Sequence, residues 1–297
     1  EGKYIAVNVI GKGSYEGLLK AGTEPVKSSV QTLEDSSEPS TENPEDRAQR
    51  LIGEGWIGIE NESELRAINN NGDYILLNDI SISNPVWNGG LNFSGTLDGN
   101  GFKIENLNMT GAAAFLIDSK NVTLSNIIFS NIVRRHTGVT GFIKNINNGA
   151  ELNLINVHVT QAKIEATSNG VGGFVGRQIS NNSKITIFNS SFSGDINTTP
   201  SAFGSVGGFI GKIENGSASI TDSFMQGNIE VVSDGDSGDF VGGLVGRNYN
   251  STLSISTSYS SGNISSGDRV GGIVGEMDNA TISNSFSVAN VYATKTN

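Results

Sequence analysis

Apolar and polar residues alternate strictly in several short runs of this chain, as in KITIF (184–188), ASIT (218–221) and LSIS (253–256). A period of two puts successive side chains on opposite faces of an extended strand, and no 3.6-residue apolar stripe persists through these segments. Upstream the pattern differs. YIAVNVI (4–10) reads as one short strand and DYILLNDISI (73–82) as another. NPEDRAQRLI (43–52) offers an Asn cap, Pro44 at the first helical position, early acids, and apolar Ala48, Leu51 and Ile52, which predicts a helix. ESELRAINN (62–70) predicts a second short helix. From Glu24 to Asp46 the chain is acidic and rich in Pro, Ser and Thr, a composition that suits a linker or long loop.

Two phrases then repeat. GVGGFVG (170–176) is echoed by VGGFIG (206–211), VGGLVG (241–246) and VGGIVG (270–275). Beside it runs a ten-residue unit, I-x-N-S-aromatic-x-x-G-N-I: IFNSSFSGDI (187–196), ITDSFMQGNI (220–229), ISTSYSSGNI (255–264) and ISNSFSVANV (282–291). Fainter copies are LSNIIFSNIV (124–133) and LINVHVTQAKI (154–164), and IENLNM (104–109) carries the opening half. Irregular spacing of about 30 residues fits one supersecondary unit per repeat, and two or three short strands with their turns fill one coil of a parallel β-helix. The expected fold is all-β, a solenoid of roughly seven coils with an N-terminal cap containing one or two short helices. The expected divisions are 1–55 (strand, acidic linker and helix), 56–90 (lead-in and cap) and 91–297 (solenoid). The cap would protect one exposed strand edge, while at the other end VYATKTN follows directly on a repeat.

In such a solenoid equivalent residues stack. The position two after each opening Ile or Leu reads Asn106, Asn126, Asn156, Asn189, Asp222, Thr257 and Asn284, which predicts an amide ladder at a corner. The opening residues fill the interior. The aromatics hold no single register: Phe129 and Phe192 fall five after the opening residue, whereas Phe224, Tyr259 and Phe286 fall four after. The glycines of the VGG phrase are read as permitting close approach of coils, because a phosphate-binding loop would need a helix or a Walker lysine after it.

Composition narrows the chemistry. A net charge of −11 argues against nucleic acid and anionic membranes, and no apolar run is long enough to span a bilayer. Without cysteine there is no disulfide, thiolate metal site or thiol nucleophile. The opening EGKYIAVNVI, lacking Met, suggests a fragment or processed product. The two histidines, His136 and His158, form no H-E-x-x-H zinc motif, and a Ser-His-Asp arrangement would be visible only from geometry. Asp195, Asp222, Glu214 and Glu230 are scattered rather than stacked as an acid–base pair. Asp234, Asp236 and Asp239 in SDGDSGD are candidate calcium ligands, with a solvated loop as the simpler reading; no other cofactor is implied. Arg177, Lys212 and Arg247 each follow a VGG phrase, with Glu276 in the fourth copy. Stacked cations need acid partners or an anionic ligand such as a glycan, and pairing with acids on adjacent turns is the simpler explanation.

FSGTLDGNGFKIENLNM (93–109), the ESELRAINN…DYILLNDISIS lead-in and the two repeat phrases together resemble the GLUG-repeat proteins of bacterial surfaces and secretions. The resemblance covers about residues 62–291. The chain departs from it in using Phe and Ile as often as Leu, and in a first copy, TGFIK (140–144), without the last Gly. It implies a right-handed parallel β-helix, an extracellular or cell-surface location and no catalytic residues to carry over. Related repeats are also implied for the non-catalytic N-terminal regions of IgA-cleaving zinc metallopeptidases. The leading expectation is therefore a non-enzymatic rod that displays or spaces a binding region for host protein or glycan, within a larger chain. The alternatives are a substrate-positioning region of a secreted peptidase and a carbohydrate-active β-helix enzyme.

Overall fold

The computed structural model describes residues 42–68, 71–83, 86–87, 89–112, 114–116, 120–147, 149–179, 182–199, 204–232, 238–266 and 268–293. The strand expected at 4–10 and most of the acidic linker lie outside them. The described chain is all-β apart from two helices. It opens with α1 (Pro44–Gly53), β1 (Ile57–Ile59), α2 (Glu62–Arg66), β2 (Tyr74–Leu76) and β3 (Ile80–Ser81). Next come β4 (Gly95–Asp98), β5 (Lys103–Glu105), β6 (Asn108–Thr110), β7 (Val122–His136), β8 (Ile143–Asn147), β9 (Glu151–Ala166), β10 (Val171–Gly172) and β11 (Val175–Ile179). β12 (Lys184–Phe188), β13 (Ser191–Thr198), β14 (Ser205–Gly207), β15 (Ile210–Glu214), β16 (Ser217–Thr221), β17 (Phe224–Gln226), β18 (Ile229–Val231) and β19 (Phe240–Gly242) follow. The series closes with β20 (Val245–Ser256), β21 (Tyr259–Ser261), β22 (Asn263–Ser266), β23 (Arg269–Gly271), β24 (Val274–Ser283), β25 (Phe286–Ser287) and β26 (Asn290–Ala293).

Both helices begin where their caps dictate. Asn43 Oδ1 accepts from Glu45 N–H at 3.0 Å with Pro44 in the first turn, and Asn61 Oδ1 accepts from Glu64 N–H at 3.1 Å. α1 lays Ala48 and Leu51 on Ile75, while α2 sends Leu65 into the main core beside Ile59 and Ile68.

All strand pairing is parallel, and each strand pairs with its counterpart about one repeat away. One column of interior residues runs Tyr74, Leu97, Leu124, Leu154, Ile187, Ile220, Ile255 and Ile282 through successive registers. From Tyr74 to Ile255 each of these residues is buried, and the column supplies much of the single large core. One correction concerns where the repeats start. Leu97 pairs with Leu124, so LDGN and not IENL occupies the opening position, while Ile104 pairs with Phe129. Asn106 accordingly accepts from Asn131 Nδ2 at 2.6 Å, one corner away from the column assigned to it. Stacking also reaches upstream of the repeats, since β1 pairs with β2 and β2 with β4.

Each letter of I-x-N-S has a distinct task. Asn126, Asn156, Asn189, Asp222, Thr257 and Asn284 all have positive φ, between 46° and 56°, the left-handed turn that Asn and Asp tolerate best. Their amides form a partial ladder: Asn126 Nδ2 donates to Asp98, Asn156 to Asn126 at 3.0 Å, and Asn189 to Asn156 at 3.3 Å. The Ser column is more regular. The N–H groups of Val157, Ser190, Ser223 and Ser258 donate to the hydroxyls of Ser190, Ser223, Ser258 and Ser285 at 3.0, 3.0, 3.2 and 3.1 Å. Each hydroxyl in turn donates to the carbonyl two residues before it. A buried N–H that the turn points away from the sheet thus finds an acceptor one repeat further along.

The two aromatic registers are the two faces of one strand. The column five after the opening residue runs Phe129, Val159, Phe192, Met225, Ser260 and Ser287 and points inward. The column four after runs His158, Ser191, Phe224, Tyr259 and Phe286 and points outward. Phe224, Tyr259 and Phe286 stack with centroids 5.0 and 5.3 Å apart and planes within 6°.

The VGG phrase forms β10, β14, β19 and β23, which make a separate four-stranded parallel sheet. A Cβ on the second glycine would strike the inward column: Gly173 would meet Phe192 at 2.7 Å and Gly208 would meet Met225 at 2.4 Å. A Cβ on Gly211 or Gly246 would lie 2.5 Å from backbone atoms of a neighbouring coil. The phrase is therefore a close-approach device rather than a flexible loop.

Candidate binding face

The residue after each VGG phrase is partly exposed while the one that follows it, Gln178, Ile213 or Asn248, is fully buried, so by strand alternation the cation faces outward. Register brings Arg177 beside Lys212, Lys212 beside Arg247 and Arg247 beside Glu276, so the three candidate ligand-binding cations form one line. Acids divide it. Lys212 Nζ and Arg177 Nη2 share Glu214 Oε2 at 2.8 and 3.4 Å, and Arg247 pairs with Glu276. Burial raises the Glu214 carboxyl, but the Lys212 hydrogen bond and charge, with Arg177, outweigh it and hold Glu214 below its ordinary value. Within the line three cations face two carboxylates.

Aromatic rings complete the face. The Arg247 guanidinium lies 4.3 Å from the Phe240 ring and 4.7 Å from Tyr249, and Arg269 covers Phe240 at 4.7 Å. Tyr249 is exposed, so the face presents a ring edge and charged groups to solvent. Glu214 and Tyr249 stand in register on neighbouring strands. Sequence reading marked the cations through the phrase they follow. It expected acid partners but named Glu214 only among scattered acids, and it did not single out Tyr249, Phe240 and Arg269, which share no repeated spelling.

The candidate calcium set is only partly placed. Asp234 and Asp236 lie outside the described residues. Asp239 is fully buried rather than in a solvated turn, and it accepts from Gly204 N–H at 2.8 Å through Oδ1 and from Arg269 N–H at 3.0 Å through its carbonyl. Among the described residues no three His, Cys, Asp or Glu side chains converge as metal ligands.

The histidines are separate. His158 Nδ1 lies 2.8 Å from Ser191 Oγ and its Nε2 lies 2.9 Å from Asn156 Oδ1, a hydroxyl–imidazole–amide chain. Ser191 is buried between His158 and Phe224 in the outward column, and Asn156 belongs to the corner ladder. Burial lowers the His158 pKa, because it disfavours the charged ring. This contact joins β9 to β13; an attacking serine would need an open approach and oxyanion donors. His136 lies in an open groove of about 600 Å³ with Thr110, Arg135, Glu165, Thr198 and Glu230. Burial, then the charges of Arg134 and Lys144, lower its pKa. Arg135 and Lys163 both pair with Glu165. Of the scattered acids, Asp195 accepts from Asn228 at 2.8 Å and begins a second ladder, in which Asn263 donates to Asn228 and Asn290 to Asn263.

No protein-family model matches the chain, and no curated protein matches its sequence. Among solved structures, a Bacteroides ovatus protein provisionally assigned as an immunoglobulin A1 protease aligns over 78% of this chain and 84% of its own, at 16% identity and a TM-score of 0.41. A similarity of that level bears on neither the function nor the fold of this chain.

Proposed function

We propose that this chain is a right-handed parallel β-helix of about seven coils, of the GLUG-repeat kind. It serves as a non-catalytic, extracellular segment of a bacterial surface protein. The observation that carries this reading is the unbroken parallel column from Leu97 to Ile282 with its Ser and Asn side-chain ladders. Polar side chains that could do chemistry are spent on joining coil to coil, which makes a stiff spacer. Right-handedness follows from the crossover preference of parallel strands.

On this scaffold the Arg177–Lys212–Arg247 line with Tyr249 is the binding face, suited to an anionic glycan through charge and ring contact. The test is a panel of carboxylated, sulfated and neutral glycans together with host surface proteins. Expected is salt-sensitive retention of anionic glycans that disappears in R177E/K212E/R247E while circular dichroism stays unchanged. Retention indifferent to the triple variant would overturn the assignment of the face. Turnover of any panel polysaccharide, or fluorophosphonate labelling at Ser191, would overturn the non-catalytic reading.

A further inference from the structure

Stacked polar side chains in this protein are mostly committed to one another. Asn126, Asn156 and Asn189 form one ladder, and Asn228, Asn263 and Asn290 form another. Two residues beyond the second ladder, Thr110, Arg135, Glu165, Asn197 and Glu230 stand in register on β6, β7, β9, β13 and β18. Here the pattern breaks. Arg135 and Lys163 both pair with Glu165, but among the described residues the side chains of Asn197 and Glu230 bond to nothing in the chain. A second row, Thr137, Thr167, Thr199 and Val232, follows the ends of β7, β9, β13 and β18. All four are exposed, and the three hydroxyls are likewise uncommitted.

The two rows border the open groove of about 600 Å³ that holds His136. Ala166 and Thr198, both buried, lie between the rows and belong to its lining. Thr198 is 3% exposed, and its Oγ1 has no hydrogen-bond partner. The backbone beneath is fully used. N–H groups of Thr167, Thr199 and Val232 donate to the carbonyls of His136, Ala166 and Thr198 at 3.2, 3.0 and 2.9 Å. The groove therefore offers side-chain groups only: hydroxyls, an amide, carboxylates and a guanidinium, a mixture of donors and acceptors.

We propose that this groove is a second binding site, for a neutral linear oligosaccharide lying along the two rows. Every sugar hydroxyl both donates and accepts, which suits a lining that sets Arg135, Asn197 and threonine hydroxyls among Glu165 and Glu230. Successive contacts one register step apart repeat every ~4.8 Å, so the row from Thr110 to Glu230 runs roughly 19 Å. The exposed Val232 side chain and the threonine methyls supply apolar contact for the C–H faces of sugar rings. An anionic chain fits poorly, because among the described residues Glu230 pairs with no cation and Glu165 already holds both of its own. An extended peptide fits poorly as well. β7, β9, β13 and β18 have partners on both sides, so a peptide would find no strand edge and its own N–H and C=O groups would go unmatched. The inference rests on neither the cation line nor the non-catalytic reading.

The probes are cellohexaose and maltohexaose, titrated into the isotope-labelled full 297-residue chain and followed by amide chemical shifts. Expected with at least one of them is a saturable shift confined to residues 135–138, 165–168, 197–199 and 230–232. It should not change when salt is raised from about 0.05 to about 0.5 M, since no net charge is matched. Asn197→Ala should weaken binding about fivefold, the worth of one hydrogen bond. Thr198→Val deletes the unpartnered hydroxyl and keeps the shape, so it should weaken binding comparably while melting no lower than the parent. The two variants are read separately, so misfolding of one leaves the other as the test. R177E/K212E/R247E should bind both probes as the parent does. Four results would overturn the proposal: no saturable shift with either probe at about 10 mM, beyond the millimolar range of weak binding; shifts that follow β11, β15 and β20, or that vanish in the triple variant; affinity unmoved by Asn197→Ala and by Thr198→Val; or tighter, salt-sensitive binding of polygalacturonate at the same residues, which would mark an anionic ligand.

Discussion

The Arg47 guanidinium on α1 meets the Asp98 carboxylate at the end of β4 through two hydrogen bonds of 2.8 Å, and Asn100 Oδ1 accepts a third from it at 3.0 Å. Asp98 also accepts from Ser125 Oγ, Asn126 Nδ2 and its own turn's Asn100 N–H, while Asn100 Nδ2 returns to Pro44 O. LDGNG is thus both a corner of the stack and the clamp that holds the first helix. Removing either charge strands the other in a buried site, so Asp98→Ala or Arg47→Ala should cost about 3 kcal/mol in denaturant unfolding.

The same clamp sets an acid limit. Burial raises the Asp98 carboxyl, but Arg47, Ser125 and the Asn100 N–H outweigh it and hold it below the ordinary carboxylate value. A depressed native pKa means stability that is present above the unfolded value near ~4 and is lost as pH falls through the native one. Urea midpoints measured from neutral pH downward should fall through the acid range, and the fall should be shallower in Asp98→Asn.

Ser223→Ala should remove an acceptor from Ser190 N–H and a donor to Thr221 O inside a buried corner, at a cost of about 1–3 kcal/mol. Exchange of the Ser190 amide should accelerate by more than that of its neighbours. A uniform change across the sheet would show that the hydroxyl column is not a local coil-to-coil bond.

Two glycines should respond in opposite senses to alanine. At Gly208 the new methyl would sit 2.2 Å from Gly243 O and 2.4 Å from Met225 Cγ, so Gly208→Ala should cost about 3 kcal/mol or more. At Gly53, the last residue of α1, nothing lies within 4 Å, and Gly53→Ala should stabilise by about 0.5–1 kcal/mol. Thermal melts of the pair give the comparison.

Arg134 is fully buried in an interior column between Met109 and Ile164. Its Nη1 donates to carbonyls of Met109, Gly111 and Arg135, while Nε and Nη2 have no hydrogen-bond partner. Burial alone lowers its pKa to about 10. Exchanging a buried charge without a carboxylate for an apolar side chain of similar length should be neutral or favourable, by up to ~2 kcal/mol. Arg134→Met should therefore melt no lower than the parent.

The sequence was most informative where a feature repeats. The Ile, Asn and Ser of I-x-N-S recur because each repeat pairs in parallel with the same neighbours, and their spacing alone placed the interior column and the turn. The Asn of G-N-I recurs too, and the ladder through Asn228, Asn263 and Asn290 could have been anticipated from it. IENL was misplaced because local spelling cannot separate one corner from the next; only the pairing of Leu97 with Leu124 decides. Contacts made once left no trace: Arg47 and Asp98 are 51 residues apart, and nothing in either neighbourhood advertises the other. Likewise the acids and rings around Arg247 are brought together by coil register and not by a motif.

The inward column that runs through Phe129 ends with Ser260 and Ser287, whose hydroxyls bond each other at 2.8 Å. Phe192 and Met225 give way to Ser260 and Ser287, so the last repeats have less apolar surface at this position to lose on opening. Under a pulling force or mild heat the molecule should come apart directionally, peeling from β26 toward β7. A tether attached near Ala293 would then yield in steps of one repeat, with a threshold that climbs as opening reaches Met225 and Phe192.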